Sequence, residues 1–223
     1  MKIAFKHLIK NIDHKPEILE VSEKLFQLGH EHEIEDDIFD IEFTPNRGDC
    51  LSIRGLQRDL SNFYDFKGFD IYSKELNQLK IDFVNDDCDA CPKISFMKIG
   101  VTGNIAPYKD ELKSYFEELK ISKNNFFTDV SNYISYETGQ PTHCYDASKM
   151  EGKLIFCEVN DDVEFNCLLD KKVNLRGKNH VFKLDNEIIN LAGVVGGDST
   201  KCSKDTKTVI VECAFFKPES VIG

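Results

Sequence analysis

A single glutamate interrupts an otherwise apolar stretch, Thr208-Val209-Ile210-Val211-Glu212-Cys213-Ala214-Phe215-Phe216. The run is β-branched and aromatic, which predicts a strand. Alternation puts Glu212 on one face with Ile210, Ala214 and Phe216. A carboxylate among such neighbours must reach water at a rim or find donors, because an unpaired buried charge costs several kcal/mol. Two readings are open: an edge strand whose glutamate faces solvent, or a carboxylate lining a pocket and ready for a ligand's hydrogen-bond donor.

Three further stretches carry groups able to do chemistry. In Asp129-Val130-Ser131-Asn132-Tyr133, Ser131 and Asn132 can donate or accept hydrogen bonds, although such residues also cap helices. In Gly139-Gln140-Pro141-Thr142-His143-Cys144-Tyr145-Asp146, His143 follows a rigid proline turn and is a candidate for proton handling or for a structural role. Leu191-Ala192-Gly193-Val194-Val195-Gly196-Gly197-Asp198 has neither the P-loop lysine nor the dinucleotide-binding glycine spacing. It offers a strand end bare of side chains, which suits close approach of a ligand or a tight turn.

The elements that must position these groups follow from periodicity. Pro16 to Leu28 reads as a helix with an Ile18, Val21, Leu25, Leu28 stripe and a Gly29 stop. An acidic link, Glu31 to Asp37, leads to a strand over 38–43 and a turn over 44–49. Asp49 is then the expected N-cap of a helix from Cys50 to Phe63 containing Leu51, Leu56 and Leu60. These make a small α+β unit over residues 1–75.

The second unit, 76–223, is predicted to be rich in strands, near 79–84, 94–103, 126–130, 152–159, 163–168, 181–184 and 187–191. A hairpin turn is expected at Asp185-Asn186, and a helix opening at Pro107 buries Leu112, Tyr115, Phe116 and Leu119. The fold class is α+β.

Composition bounds the partners. The chain has 28 Lys and Arg against 39 Asp and Glu, a formal charge of −11, which is poorly suited to gripping a phosphate backbone unaided. No apolar run approaches the ~20 residues of a membrane span, and the first residues lack a signal-peptide core. Eight scattered cysteines, several in apolar segments, fit a reduced, cytoplasmic protein. Cys88 and Cys91 form a lone CxxC with no partner pair, so no metal site is expected there.

Taken together the motifs are similar to the N-terminal half of bacterial phenylalanine–tRNA ligase beta subunits. The carriers, in the family's order, are 43–53 (FTPNRGDCLSI), 129–133 (DVSNY), 139–143 (GQPTH), 191–197 (LAGVVGG) and 212–216 (ECAFF). The resemblance implies a small N-terminal domain followed by an editing domain that hydrolyses tyrosine mistakenly attached to the phenylalanine tRNA. It implies that His143 is the editing histidine and Asn132 a polar pocket residue; the expectation is that these two orient the ester or water, helped by the substrate's own ribose hydroxyl. Ser131, Gly193, Gly196 and Ala214 would line the pocket, and Glu212 would sense the tyrosyl hydroxyl. Tyr and Phe differ by that one hydroxyl, and a buried carboxylate left unpaired by Phe costs a few kcal/mol.

The same resemblance implies an alpha-subunit partner within a heterotetramer. ATP and Mg2+ would serve the complete ligase, with no cofactor on this chain, and other parts of the enzyme would deliver tRNA(Phe). Three departures from the family pattern stand out. The family's inserted oligonucleotide-binding domain is absent near 35–37, Ser122-Lys123 stands where an Arg-Pro pair is usual, and the family's subunit runs well beyond Gly223. The expectation is therefore a fragment whose editing domain is cut at its C-terminal side. A non-catalytic assembly subunit and a free-standing trans-editing hydrolase are the alternatives.

Overall fold

The computed structural model describes residues 1–68, 75–160, 162–168 and 171–221. The expected domain end near residue 75 abuts 69–74, which lie outside the described residues, as does Gly223. The chain is α+β, and it divides into two compact units. One gathers Met1–Glu75, Ala106–Asn124 and Asp129–Pro141, and the other Leu76–Ile105, Asn125–Thr128 and Thr142–Gly223.

In the first unit, β1 (Lys2–Ala4), β2 (Glu31–Glu35) and β3 (Ile38–Glu42) form an antiparallel sheet in the order β1-β3-β2. The expected acidic link is thus largely a strand. Its glutamates alternate onto one exposed face, and Asp36, with a φ of 54°, turns the chain into β3. A short α1 (Phe5–Leu8) precedes α2 (Ile18–Gln27), which stops as predicted. Gly29 takes a φ of 83°, its N–H donates to Phe26 and the His30 N–H donates to Leu25, capping the last carbonyls.

The next helix, α3 (Ile53–Leu60), is shorter than expected. The Ser52 hydroxyl, not Asp49, caps it by accepting from the Gly55 N–H at 3.0 Å. Asp49 sits in a preceding 3-10 turn, Gly48–Cys50, and Leu51 is left exposed outside the helix. Two more helices, α4 (Asp110–Glu118) and α5 (Phe126–Thr138), add Tyr115, Phe116 and Tyr136 to a core built on Ile3, Leu8, Val21, Leu25, Phe39, Leu56 and Leu60.

The strand expected over 126–130 is the first turn of α5. Asn125 decides this: its side-chain oxygen accepts from the Thr128 N–H at 3.1 Å, an N-cap that overrides the aromatic and β-branched run. One turn on, the Asp129 carboxylate accepts from the Asn124 N–H and from the Tyr108 hydroxyl at 2.6 Å.

The second unit holds ten strands among its described residues. They are β4 (Phe83–Asn85), β5 (Lys93–Gly100), β6 (His143–Asp146), β7 (Leu154–Val159), β8 (Val163–Cys167), β9 (Lys171–Leu175), β10 (Asn179–Leu184), β11 (Glu187–Leu191), β12 (Val195–Gly196) and β13 (Thr208–Phe215). Five make a sheet in the order β12-β11-β10-β7-β4, in which only β4 and β7 run parallel; three make an antiparallel sheet, β5-β13-β6; β8 and β9 form a hairpin. Asp185 and Asn186 turn β10 into β11 as expected. The two sheets share a core of Tyr145, Leu154, Phe156, Phe182 and Ile189. β6, β9 and β12 are too short or too polar to signal themselves by alternation.

Candidate functional site

β13 is the central strand of its sheet, flanked by β5 and β6, so Glu212 is not on an edge. Its side chain is 5 % exposed. Register places it opposite Phe96 on β5 and opposite His143 on β6, so Glu212 and His143 are direct cross-strand neighbours on one face. Burial pushes the Glu212 carboxyl up to about 7, against the opposing pull of a hydrogen bond from Tyr145.

Tyr145 joins this cluster and is not among the residues that sequence reasoning singled out. It lies two residues beyond His143 on β6, hence on the same face, and is completely buried. Its hydroxyl donates to Glu212 Oε2 at 2.5 Å and accepts from Asn190 Nδ2 on β11 at 2.8 Å. Burial first, then the adjacent carboxylate, holds this phenol protonated far above its ordinary range. Among the described residues no donor meets the other oxygen, Oε1. Strand alternation alone flags Tyr145 once β6 is known; Asn190 is visible only in three dimensions.

His143 packs edge-on to Tyr145, with ring centroids 4.5 Å apart. Desolvation lowers its pKa to about 4, so at neutral pH the imidazole is uncharged and able to accept a proton. The ring is in place because Gly196 has no side chain: a Cβ there would lie 2.2 Å from His143 Cε1. Gly193 takes a φ of 72° at the end of β11, and a Cβ there would meet Val221 and Phe216, so this chain's own side chains cover it. Ala214 follows Glu212 on the same face, half-buried against the shared core.

Ser131 and Asn132 lie on α5 in the first unit, Ser131 buried and Asn132 exposed. The second unit therefore assembles His143, Tyr145, Asn190, Gly196, Glu212 and Ala214 by itself. A cleft of about 670 Å3 elsewhere in this unit, lined by residues such as Phe165, Cys167, Lys171, Lys183 and Asp198, contains none of them. In the first unit His30, Cys50 and Asp59 gather ligand atoms within 4.8 Å. Arg47 and Arg58 both donate to the Asp59 carboxylate, so guanidinium charge already stands where a cation would sit. Cys88 and Cys91 each point their thiol at a backbone carbonyl, of Asn85 and of Lys93.

A buried acid beside an uncharged imidazole offers an acceptor for a hydroxyl and a base for a proton. The chain belongs to the B3/4 domain family, whose pattern matches residues 90–223. It is 33% identical over 214 residues to the phenylalanine–tRNA ligase beta subunit of Ehrlichia ruminantium (strain Gardel), covering 92% of this chain and 26% of that protein. It is 30% identical over 194 residues to the beta subunit of Neisseria gonorrhoeae (strain ATCC 700825 / FA 1090), covering 86% and 25%. The chain thus spans about a quarter of the length of these relatives. A crystal structure of an N-terminal fragment of the phenylalanyl-tRNA synthetase beta subunit from Pyrococcus horikoshii shares the fold. Its TM-score is 0.50 at 14% identity, over 99% of this chain and 69% of that one.

Proposed function

We propose that this chain serves as part of a phenylalanine–tRNA ligase beta subunit and carries a hydrolytic proofreading pocket for tyrosine misattached to tRNA(Phe). One observation carries the reading: Glu212, buried on a central strand beside His143, has among the described residues a single donor on its carboxylate, Tyr145. A tyrosyl hydroxyl donating to Oε1 would relieve that deficit, and phenylalanine would leave it.

Hydrolysis would proceed by attack of water on the ester carbonyl. Uncharged His143 would take the water's proton and return it to the ribose oxygen as the carbon–oxygen bond breaks, releasing tyrosine and free tRNA. A pKa near 4 makes His143 a weak base, which suits an activated ester more than an amide. Ligation, with its ATP and Mg2+, belongs in this reading to an alpha subunit. The negative charge favours tRNA delivery by other parts of the enzyme.

The assembly-subunit alternative has one observation in its favour: Tyr145 already supplies Glu212 with a phenol. Deacylation of Tyr-tRNA(Phe) and Phe-tRNA(Phe) by the chain alone and by the ligase containing it separates the readings. The proofreading reading expects Glu212→Ala to slow release of tyrosine at least tenfold with little change for phenylalanine. Equal rates before and after the substitution would leave only assembly, and full activity of the isolated chain would favour a trans-acting hydrolase.

A further inference from the structure

We propose that Tyr145, anchored by Asn190, is the positioning residue of this pocket: it holds Glu212 by Oε2 so that Oε1 is presented to an incoming phenolic hydroxyl. The inference rests on the proofreading reading of the same site. A glutamate has three rotatable bonds, and a buried one without a tether would sample several rotamers or turn away from an apolar pocket. Tyr145 removes that freedom. Its ring is fully buried and edge-packed by His143, and its hydroxyl is committed twice, accepting from Asn190 and donating to Glu212. The proton direction is therefore fixed: Asn190 can only donate through its Nδ2, so the phenol's own hydrogen is left for the carboxylate.

The division between the two oxygens separates positioning from competition. A phenol bound across both oxygens would block a substrate hydroxyl, and Tyr145 would then be an internal inhibitor. The bond goes to Oε2, and among the described residues no donor meets Oε1. A carboxylate offers about four lone-pair sites, so one internal donor leaves capacity for the ligand's. The pocket would thus read a phenol with an acceptor whose geometry another phenol has set.

The titratable groups facing Glu212 are His143 and Tyr145 from β6 and Cys91 ahead of β5; Cys213, next to it on β13, points to the opposite face but feels its charge. Tyr145 is the one whose hydrogen bond favours the ionised carboxylate.

The test compares Tyr145→Phe, Asn190→Ala and Glu212→Ala in the ligase containing this chain, with kcat/KM for Tyr-tRNA(Phe) and Phe-tRNA(Phe) deacylation followed from pH 5.5 to 8.5. Tyr145→Phe is expected to lower the Tyr-to-Phe ratio at least tenfold and to move the ionisation governing it to higher pH, a shift that general loosening of the fold would not produce. Asn190→Ala, which frees the phenol without deleting it, should act in the same direction more weakly. Unchanged or raised selectivity in Tyr145→Phe, while Glu212→Ala abolishes it, would overturn the positioning role and leave proofreading intact. Unchanged selectivity in Glu212→Ala would overturn both.

Discussion

The imidazole of His143 stands in the space that a side chain on Gly196 would fill, with its Cε1 2.2 Å from where a Cβ would be. Backbone from β12 is thus pressed against the face of β6 that also carries Tyr145. Neither residue is placed by its own strand alone.

Gly196→Ala should therefore displace the imidazole before it unfolds the protein. The expected cost is about 1–3 kcal/mol in urea denaturation, the range for overpacking a filled interior. The His143 ring resonances should shift strongly in NMR, and tyrosine release should fall with them. Unmoved ring resonances would show that the contact is not tight.

Glu212 should make the fold more stable in mild acid than at neutral pH. Its folded carboxyl titrates near 7 against an ordinary 4.5, so the folded state binds the extra proton between those values. The contribution is fully present below about 4.5 and lost as pH rises through about 7. It amounts to about 3 kcal/mol at most. The stability difference between the native chain and Glu212→Gln, measured by urea at pH 5 and pH 8, should change in that sense. A constant difference would mean the carboxyl is better solvated than its burial indicates.

Asp59 should behave in the opposite way. Burial works against its charge, yet bonds from Arg47, His30, Arg58 and Cys50 outweigh that and hold its carboxyl down at about 2. Its contribution is present above the ordinary 3.8 and fades as pH falls toward 2. Asp59→Asn is expected to destabilise the first unit by about 1–3 kcal/mol, since Arg47 and Arg58 each lose one of two carboxylate partners and keep only Asp49. A loss under 1 kcal/mol would show that solvent takes over the pairing.

Asn125→Ala tests why α5 is a helix. Losing the bond to the Thr128 N–H should cost about 1 kcal/mol, visible as a lower urea midpoint with an unchanged slope. No loss would indicate that tertiary packing alone selects the helical state.

Much of this was legible beforehand. The α+β class, α2 with its Gly29 stop, the β10–β11 hairpin and the buried character of the Glu212 strand follow from periodicity and turn chemistry. Phe126 to Val130 misled because aromatic and β-branched residues read as strand, whereas one asparagine side chain starts a helix. Ser52 outcompeted Asp49 as a cap for a geometric reason, its hydroxyl standing three residues before the Gly55 N–H. The register that sets His143 against Glu212, and the reach from Asn190 to Tyr145, depend on strands distant in sequence. Local pattern carries no record of them.

The Tyr145–Glu212 bond spans 67 residues, and the strands β7 to β12 lie in between. Contacts of such long range form late, because the loop between them must close first. A chain emerging from the ribosome would hold the imidazole strand long before its carboxylate partner existed. The pocket would then mature only after β13 had paired between β5 and β6, and competence would wait on that later strand.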